Sequence, residues 1–127
     1  MIMTPVSVRY IVDDVAASID FYVKHLGFAI ERDARPAFCS VTHGDLRLLL
    51  SGPESSGARA MPDGRRPVPR GWNRILLVVP DLKQEVARLK GAGLAFCNDI
   101  INGVGGSQTL LEDPSGNVIE LFQPAAH

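Results

Sequence analysis

Glu120 is the side chain of this sequence whose setting most calls for chemistry. It stands in Val118-Ile119-Glu120-Leu121-Phe122, a run of β-formers that follows the turn-forming pairs Asp113-Pro114 and Gly116-Asn117. In an extended strand Val118, Glu120 and Phe122 share one face and Ile119 and Leu121 the other, so the carboxylate points where two apolar side chains point. Either that face is wet, or the carboxylate is paired, hydrogen-bonded or bound to a metal, because an isolated buried charge is costly. A held carboxylate of this kind can also act as a general base. The other reactive side chains are less suggestive. His25 near a helix end, His43 in a turn and His127 at the last position read as solvated histidines rather than ligands. Cys39 and Cys97 make neither a disulfide framework nor a metal-binding spacing and read as free thiols. Asn102-Gly103-Val104-Gly105-Gly106 lacks a following Lys-Ser/Thr and a following helix, so it reads as a hairpin loop and not a phosphate cradle.

The elements that must position Glu120 belong to one domain's worth of chain. The 127 residues are 46% hydrophobic, enough for a core, and the formal charge of -1 with mixed signs argues against nucleic acid or an anionic membrane as the main partner. The N-terminus lacks the basic start and apolar run of a signal peptide, and no apolar stretch is long enough to span a bilayer. A cytoplasmic location is expected.

Val6 to Val12 reads as a strand, Asp13-Asp14 as an N-cap, and Val15, Ile19, Tyr22 and Leu26 as the apolar stripe of a helix closed by Gly27. Phe28 to Arg35, Ala37 to Thr42 and Leu46 to Ser51 follow as short strands, separated by Pro36 and by His43-Gly44-Asp45. The second half repeats the pattern. Ile75 to Val79 is a strand, Asp81 caps a helix with Gln84 in capping-box position, Leu82, Val86 and Leu89 form its stripe, and Gly91 and Gly93 end it. Gly93 to Asp99 matches Gly27 to Asp33 in residue type, and Gly44-Asp45 with Leu46 to Pro53 is echoed by Gly116-Asn117 with Val118 to Pro124. Three matches in the same order predict a duplicated strand, helix and three-strand module. The short turns imply antiparallel order within each module, and two such sheets, each with a helix on one face, are expected to enclose a cleft. Between the halves, residues 52–71 carry four prolines, four glycines and four arginines, a composition that excludes a regular element. This stretch is either a surface linker or an arm beside the cleft.

Val8 to Gly27, with Asp14, Ser18, Phe21-Tyr22 and Leu26-Gly27, resembles the opening signature of the vicinal oxygen chelate superfamily, which includes glyoxalase I, bleomycin-resistance proteins and extradiol dioxygenases. Pro80-Asp81-Leu82 and Asp113 to Phe122 resemble its second-module signatures. The resemblance implies an α+β fold of two βαβββ modules forming an incomplete antiparallel barrel with helices on the outside, in a homodimer. The expected organisation is a single domain over residues 1–127, with module one at 5–51, a linker arm at 52–71 and module two at 72–124. Metal-dependent relatives carry a His on the first strand and a carboxylate or equivalent on the last strand of each module. Counting back from Asp14 and Asp81, the first-strand positions here hold Ser7 and Arg74. On the last strand of module one, alignment of Pro53 with Pro124 puts Leu49 opposite Glu120, whereas alignment of Gly44 with Gly116 puts Leu48 there. Of four ligands only Glu120 remains, so no metal and no other cofactor is expected.

Strand alternation from these positions brings Arg9 in beside Ser7, Trp72 beside Arg74 and Arg47 beside Leu49. With Phe122 and Phe38 they would form a wall suited to a planar or anionic compound, because guanidinium is a rigid, always-charged fork of donors. Arg74 and Glu120 could equally pair with each other and leave no chemistry. Three functions stay open: a metal-free protein binding a small organic compound, a metal-independent isomerase or lyase with Glu120 as general base, and a non-catalytic structural or interaction domain.

Overall fold

The apolar spacing of each half folds it into the expected strand, helix and three further strands. The computed structural model describes residues 6–126. Module one is β1 (Val6–Ile11), α1 (Val15–Asp20) continued by a π-helical turn (Phe21–His25), β2 (Ala29–Ala34), β3 (Phe38–His43) and β4 (Leu46–Ser51). Module two is β5 (Ile75–Val78), α2 (Leu82–Gly91), β6 (Ile101–Asn102), β7 (Gly106–Glu112) and β8 (Val118–Pro124). Pro5 and His127, which the sequence placed at the start of module one and at a solvated end, lie outside the described residues. Among the described residues no helix is long and apolar enough to cross a membrane.

Each helix begins where its aspartate stands. The Asp14 carboxylate accepts from the Ala17 N–H at 3.1 Å, and the Asp81 carboxylate from the Gln84 N–H at 3.1 Å, so each satisfies a backbone donor that the first turn leaves unpaired. Val15, Ile19, Tyr22 and Leu26 are all buried, as their spacing predicts. The π-helical turn also buries Phe21 beside Tyr22, their rings edge-on with centroids 5.0 Å apart, and Gly27 leaves the helix at φ 75°, the left-handed region that glycine enters without strain.

The sheets correct the expectation of purely antiparallel order. The four strands of module one are ordered β1-β4-β3-β2 and those of module two β5-β8-β7-β6. In both, the last three strands of the module are antiparallel to their neighbours, while β1 pairs with β4, and β5 with β8, in parallel. Short turns dictate direction only between consecutive strands. The first strand meets the last after a long crossover and is free to run parallel. His43 is the final residue of β3 and its ring lies 5.1 Å from that of Phe28, so it is packed rather than free in a turn.

Module two also departs from its repeat partner over Gly93 to Asp99. Only an isolated bridge, Phe96 to Leu111, forms there, and β6 is two residues long. The Asn98 side-chain carbonyl accepts from the Leu110 N–H at 3.0 Å and from the Thr109 hydroxyl at 3.0 Å, taking the place of a continuing strand. The repeat still holds in space: Ile30 pairs with Val41 and Val41 with Leu48, as Phe96 pairs with Leu111 and Leu111 with Ile119.

The chain divides into two compact units, Met1–Arg70 with Pro114–Asn117, and Gly71–Asp113 with Val118–His127. The core of the first is Val12, Val15, Tyr22, Cys39, Val41, Leu48 and Leu50, and that of the second Leu77, Leu82, Leu89, Leu111, Ile119 and Leu121. The turn Pro114–Asn117, carried between β7 and β8, belongs to the first unit. There the Asn117 amide donates to the Ile11 carbonyl at 2.8 Å and its oxygen accepts from the Arg70 N–H at 2.8 Å, while the Ser115 hydroxyl accepts from the Asp13 N–H at 2.8 Å.

The pairing decides which leucine of β4 corresponds to Glu120. Leu48 and Leu50 are fully buried on the helix side and Leu49 lies on the opposite face, half-buried. Leu48→Ala is therefore expected to cost about 2–5 kcal/mol in urea denaturation, and Leu49→Ala about 1 kcal/mol or less, the ordinary cost away from a core. Equal losses at both positions contradict this orientation.

Candidate functional site

The parallel ladders set the geometry of the candidate positions. Arg9 stands opposite Leu49 in module one, and Leu76 opposite Glu120 in module two. Since Asp14 and Asp81 cap equivalent helices, Arg9 corresponds to Leu76 and therefore Leu49 to Glu120. Two matching hydrogen bonds at the strand ends agree: the Val12 N–H donates to the Ser51 carbonyl and the Val79 N–H to the Phe122 carbonyl, both at 2.9 Å. The register that pairs Pro53 with Pro124 is the one adopted.

In module two, Arg74 and Glu120 come together. Arg74 Nε donates to Glu120 Oε1 at 3.0 Å and Nη2 lies 2.9 Å from the same oxygen. The Glu120 side chain is 9% exposed and that of Arg74 28%. Burial of the carboxylate is thus met by a charge-assisted pair, one of the alternatives the sequence left open. Arg74 precedes β5, and its Nη1 also donates to the Trp72 carbonyl at 3.3 Å. Trp72 likewise lies before the strand, so alternation does not reach it, and it is 77% exposed. Phe122, half-buried, shares the Glu120 face of β8.

In module one, Ser7 and Arg9 are exposed on the face of β1 opposite buried Tyr10, and Ser7 pairs with Arg47 as Arg9 does with Leu49. Phe38 and Ser40 lie on the corresponding face of β3, opposite the fully buried Cys39 and Val41. Ser7, Arg9, Phe38, Arg47 and Leu49 are therefore neighbours on one sheet face. Arg9 Nη1 donates to the Ser51 hydroxyl at 2.9 Å.

Glu31 is the residue that the strand pattern did not single out. A register shift between Ile30 and Arg32 brings its carboxylate to Arg47 Nε at 2.8 Å and to the Ser40 hydroxyl at 2.9 Å. The Arg47 guanidinium and then the Ser40 hydroxyl hold the Glu31 carboxyl below its ordinary value. Arg47, expected as a free anion-binding group, is already neutralised. A signal was present: Glu31-Arg32-Asp33 breaks the apolar and polar alternation of a strand. In module two the matching position is Cys97, whose sulfur is 4.0 Å from Glu112 and whose thiol is pushed up by burial and by that carboxylate. Among the described residues no three His, Cys, Asp and Glu side chains converge as a metal-binding group.

Comparison with known proteins agrees with this architecture. The family model of the glyoxalase/bleomycin resistance protein/dioxygenase superfamily matches residues 4–121. TnmS3, an antibiotic binding protein from Streptomyces sp. CB03234, is 29% identical, with a TM-score of 0.74 and 98% of each chain covered. A superfamily member from Sphaerobacter thermophilus is 27% identical, with a TM-score of 0.76, covering 96% of this chain and 98% of that one. Lactoylglutathione lyase from Agrobacterium tumefaciens, at 18% identity, shares the fold with a TM-score of 0.76 over 96% of this chain and 92% of its own. No curated protein matches the sequence. With its two βαβββ modules and a family match over nearly its whole length, the chain belongs to the glyoxalase/bleomycin resistance protein/dioxygenase superfamily.

Proposed function

We propose that this chain is a metal-independent member of the superfamily that binds a small planar or anionic organic compound on the open faces of its sheets. The observation that carries the reading is the Arg74–Glu120 pair. The four positions that hold a metal in metal-dependent relatives carry Ser7, Leu49, Arg74 and Glu120 here. Leucine has no donor atom and guanidinium is a cation, so this set does not suit a divalent ion. The remaining carboxylate is engaged by Arg74 on one oxygen. What the faces do offer is aromatic surface from Phe38, Trp72 and Phe122, and guanidinium groups, of which Arg47 and Arg74 are each paired with a carboxylate and Arg9 with a hydroxyl. TnmS3, named for binding an antibiotic, supports a binding role.

A second reading, a metal-independent isomerase or lyase, draws on one feature. Both Arg74 contacts fall on Glu120 Oε1, which leaves Oε2 as the oxygen that could take a proton. The third reading, a structural or interaction domain, is favoured by no specific contact. A homodimer is also proposed, because the edge strand β5 exposes Leu76 and Val78 at 46% and 60%. A cytoplasmic location goes with the reading.

Metal analysis of the purified protein is expected to find no stoichiometric zinc, nickel, manganese or iron, and EDTA to leave ligand affinity unchanged. A 1:1 metal content lost on Glu120→Ala overturns the metal-independent reading. In calorimetry against planar anions and aromatic antibiotics, Glu120→Gln is expected to keep wild-type affinity within about threefold, since it removes charge from a pair and not from an aromatic wall. Turnover abolished by Glu120→Gln with binding intact supports the lyase instead. Sedimentation at micromolar concentration is expected to give a dimer, and a monomer there counts against that assignment.

A further inference from the structure

The arm and the first sheet of module one build a hollow of about 170 Å³. Its apolar walls are Ile11, Pro53, Ala58 and the segment Pro67-Val68-Pro69, and Asp13 and Arg66 add one charge of each sign. Ala58 is 3% exposed, so the arm is seated here and not merely draped. Ile11 is the direct ladder partner of Ser51, and Ser51 is the residue whose hydroxyl accepts from Arg9 Nη1. The Arg9 guanidinium is thus bonded to the strand neighbour of Ile11, one ladder step from the wall of the hollow. From the arm, Gly57 closes on it: a Cβ at Gly57 would overlap Nη1 and come within 2.7 Å of Cδ and 2.9 Å of Cζ. Arg47 and Arg74 each have a carboxylate, whereas Arg9 has none among the described residues.

A guanidinium that is bonded to a hydroxyl, lies where Gly57 has no side chain, stays exposed, and sits one ladder step from an apolar hollow is arranged to receive one carboxylate in front of one apolar body. The volume lies below the roughly 300 Å³ at which drug-sized sites begin, so the occupant is fragment-sized. The proline wall is stiff before binding and loses little freedom on contact.

We propose that this hollow binds a small aromatic acid, its ring system against Ile11 and the Pro67–Pro69 wall, its carboxylate on Arg9. Gly57 acts as a positioning residue by leaving the space in which the guanidinium lies against Ser51. The proposal rests on the reading that the chain binds a small organic compound, and it assigns one such compound class to module one alone.

The test is an amide NMR titration with 2-naphthoate and with neutral 2-naphthamide, on wild type, Arg9→Gln and Gly57→Ala. Gly57→Ala meets only the far end of a flexible side chain, so it is expected to fold and to move the guanidinium off Ser51. The expected result is a preference for naphthoate of roughly ten- to a hundredfold, with shifts at residues 56–58 and at Val68, and loss of that preference in both variants. Equal affinity for the two probes, a preference that survives Arg9→Gln, or shifts confined to residues 72–78 and 118–122 overturns the proposal and leaves the wider binding reading standing. Indifference of the wild type to both probes overturns it as well. The wider reading falls only when the panel of planar anions and antibiotics also gives no binding.

Discussion

The parallel pairing of the first and last strands in each module is the constraint on which the candidate site depends. It sets a residue of the first strand beside one two places further along the last, so that Ser7 is diagonal to Leu49, while Arg74, just ahead of β5, reaches Glu120 through its side chain. Here one diagonal holds a hydroxyl and an alkyl group, and the other holds opposite charges that satisfy each other. In the second, the Arg74 guanidinium engages the carboxylate and adds positive charge beside it, so that the pair is electrostatically closed to a further cation.

Charge compensation then decides what the faces can recognise. Arg47 is matched by Glu31 and Arg74 by Glu120, both through charge-assisted hydrogen bonds. The Arg47 pair is about a third exposed on each side chain, so its contribution to stability is small and its role is to set local polarity. The Arg74 pair is less accessible, and its worth lies mainly in avoiding a lone charge in the low-exposure environment of Glu120. What is left over is Arg9, held by the Ser51 hydroxyl in the space that the bare Gly57 leaves, with no acid beside it among the described residues.

The turn between β7 and β8 illustrates how polar groups, and not only apolar ones, tie the first unit together. Asn117 is 5% exposed and serves one carbonyl of Ile11, next to the end of β1, and one N–H of Arg70, at the end of the arm. Both are part-buried backbone groups, and each bond satisfies one that would otherwise depend on water. The same asparagine thereby holds the arm that carries the proline wall.

Much of this protein was legible in residue order alone. The helix stripes, the capping aspartates Asp14 and Asp81, the strands Leu46–Ser51 and Val118–Pro124, the duplication and the superfamily all follow from spacing and residue type, because they are local consequences of backbone geometry and of burying one face. The tertiary structure alone decided the rest. It chose Leu49 over Leu48, since a register differing by one residue leaves local sequence unchanged and flips every side chain to the other face. It gave Arg47 to Glu31 through a bulge, gave Leu110 to Asn98 in place of a strand, and brought Gly57 against Arg9 across 48 positions of chain. Such partners are joined by distance in space, which pairwise contacts create and which no periodicity along the chain encodes.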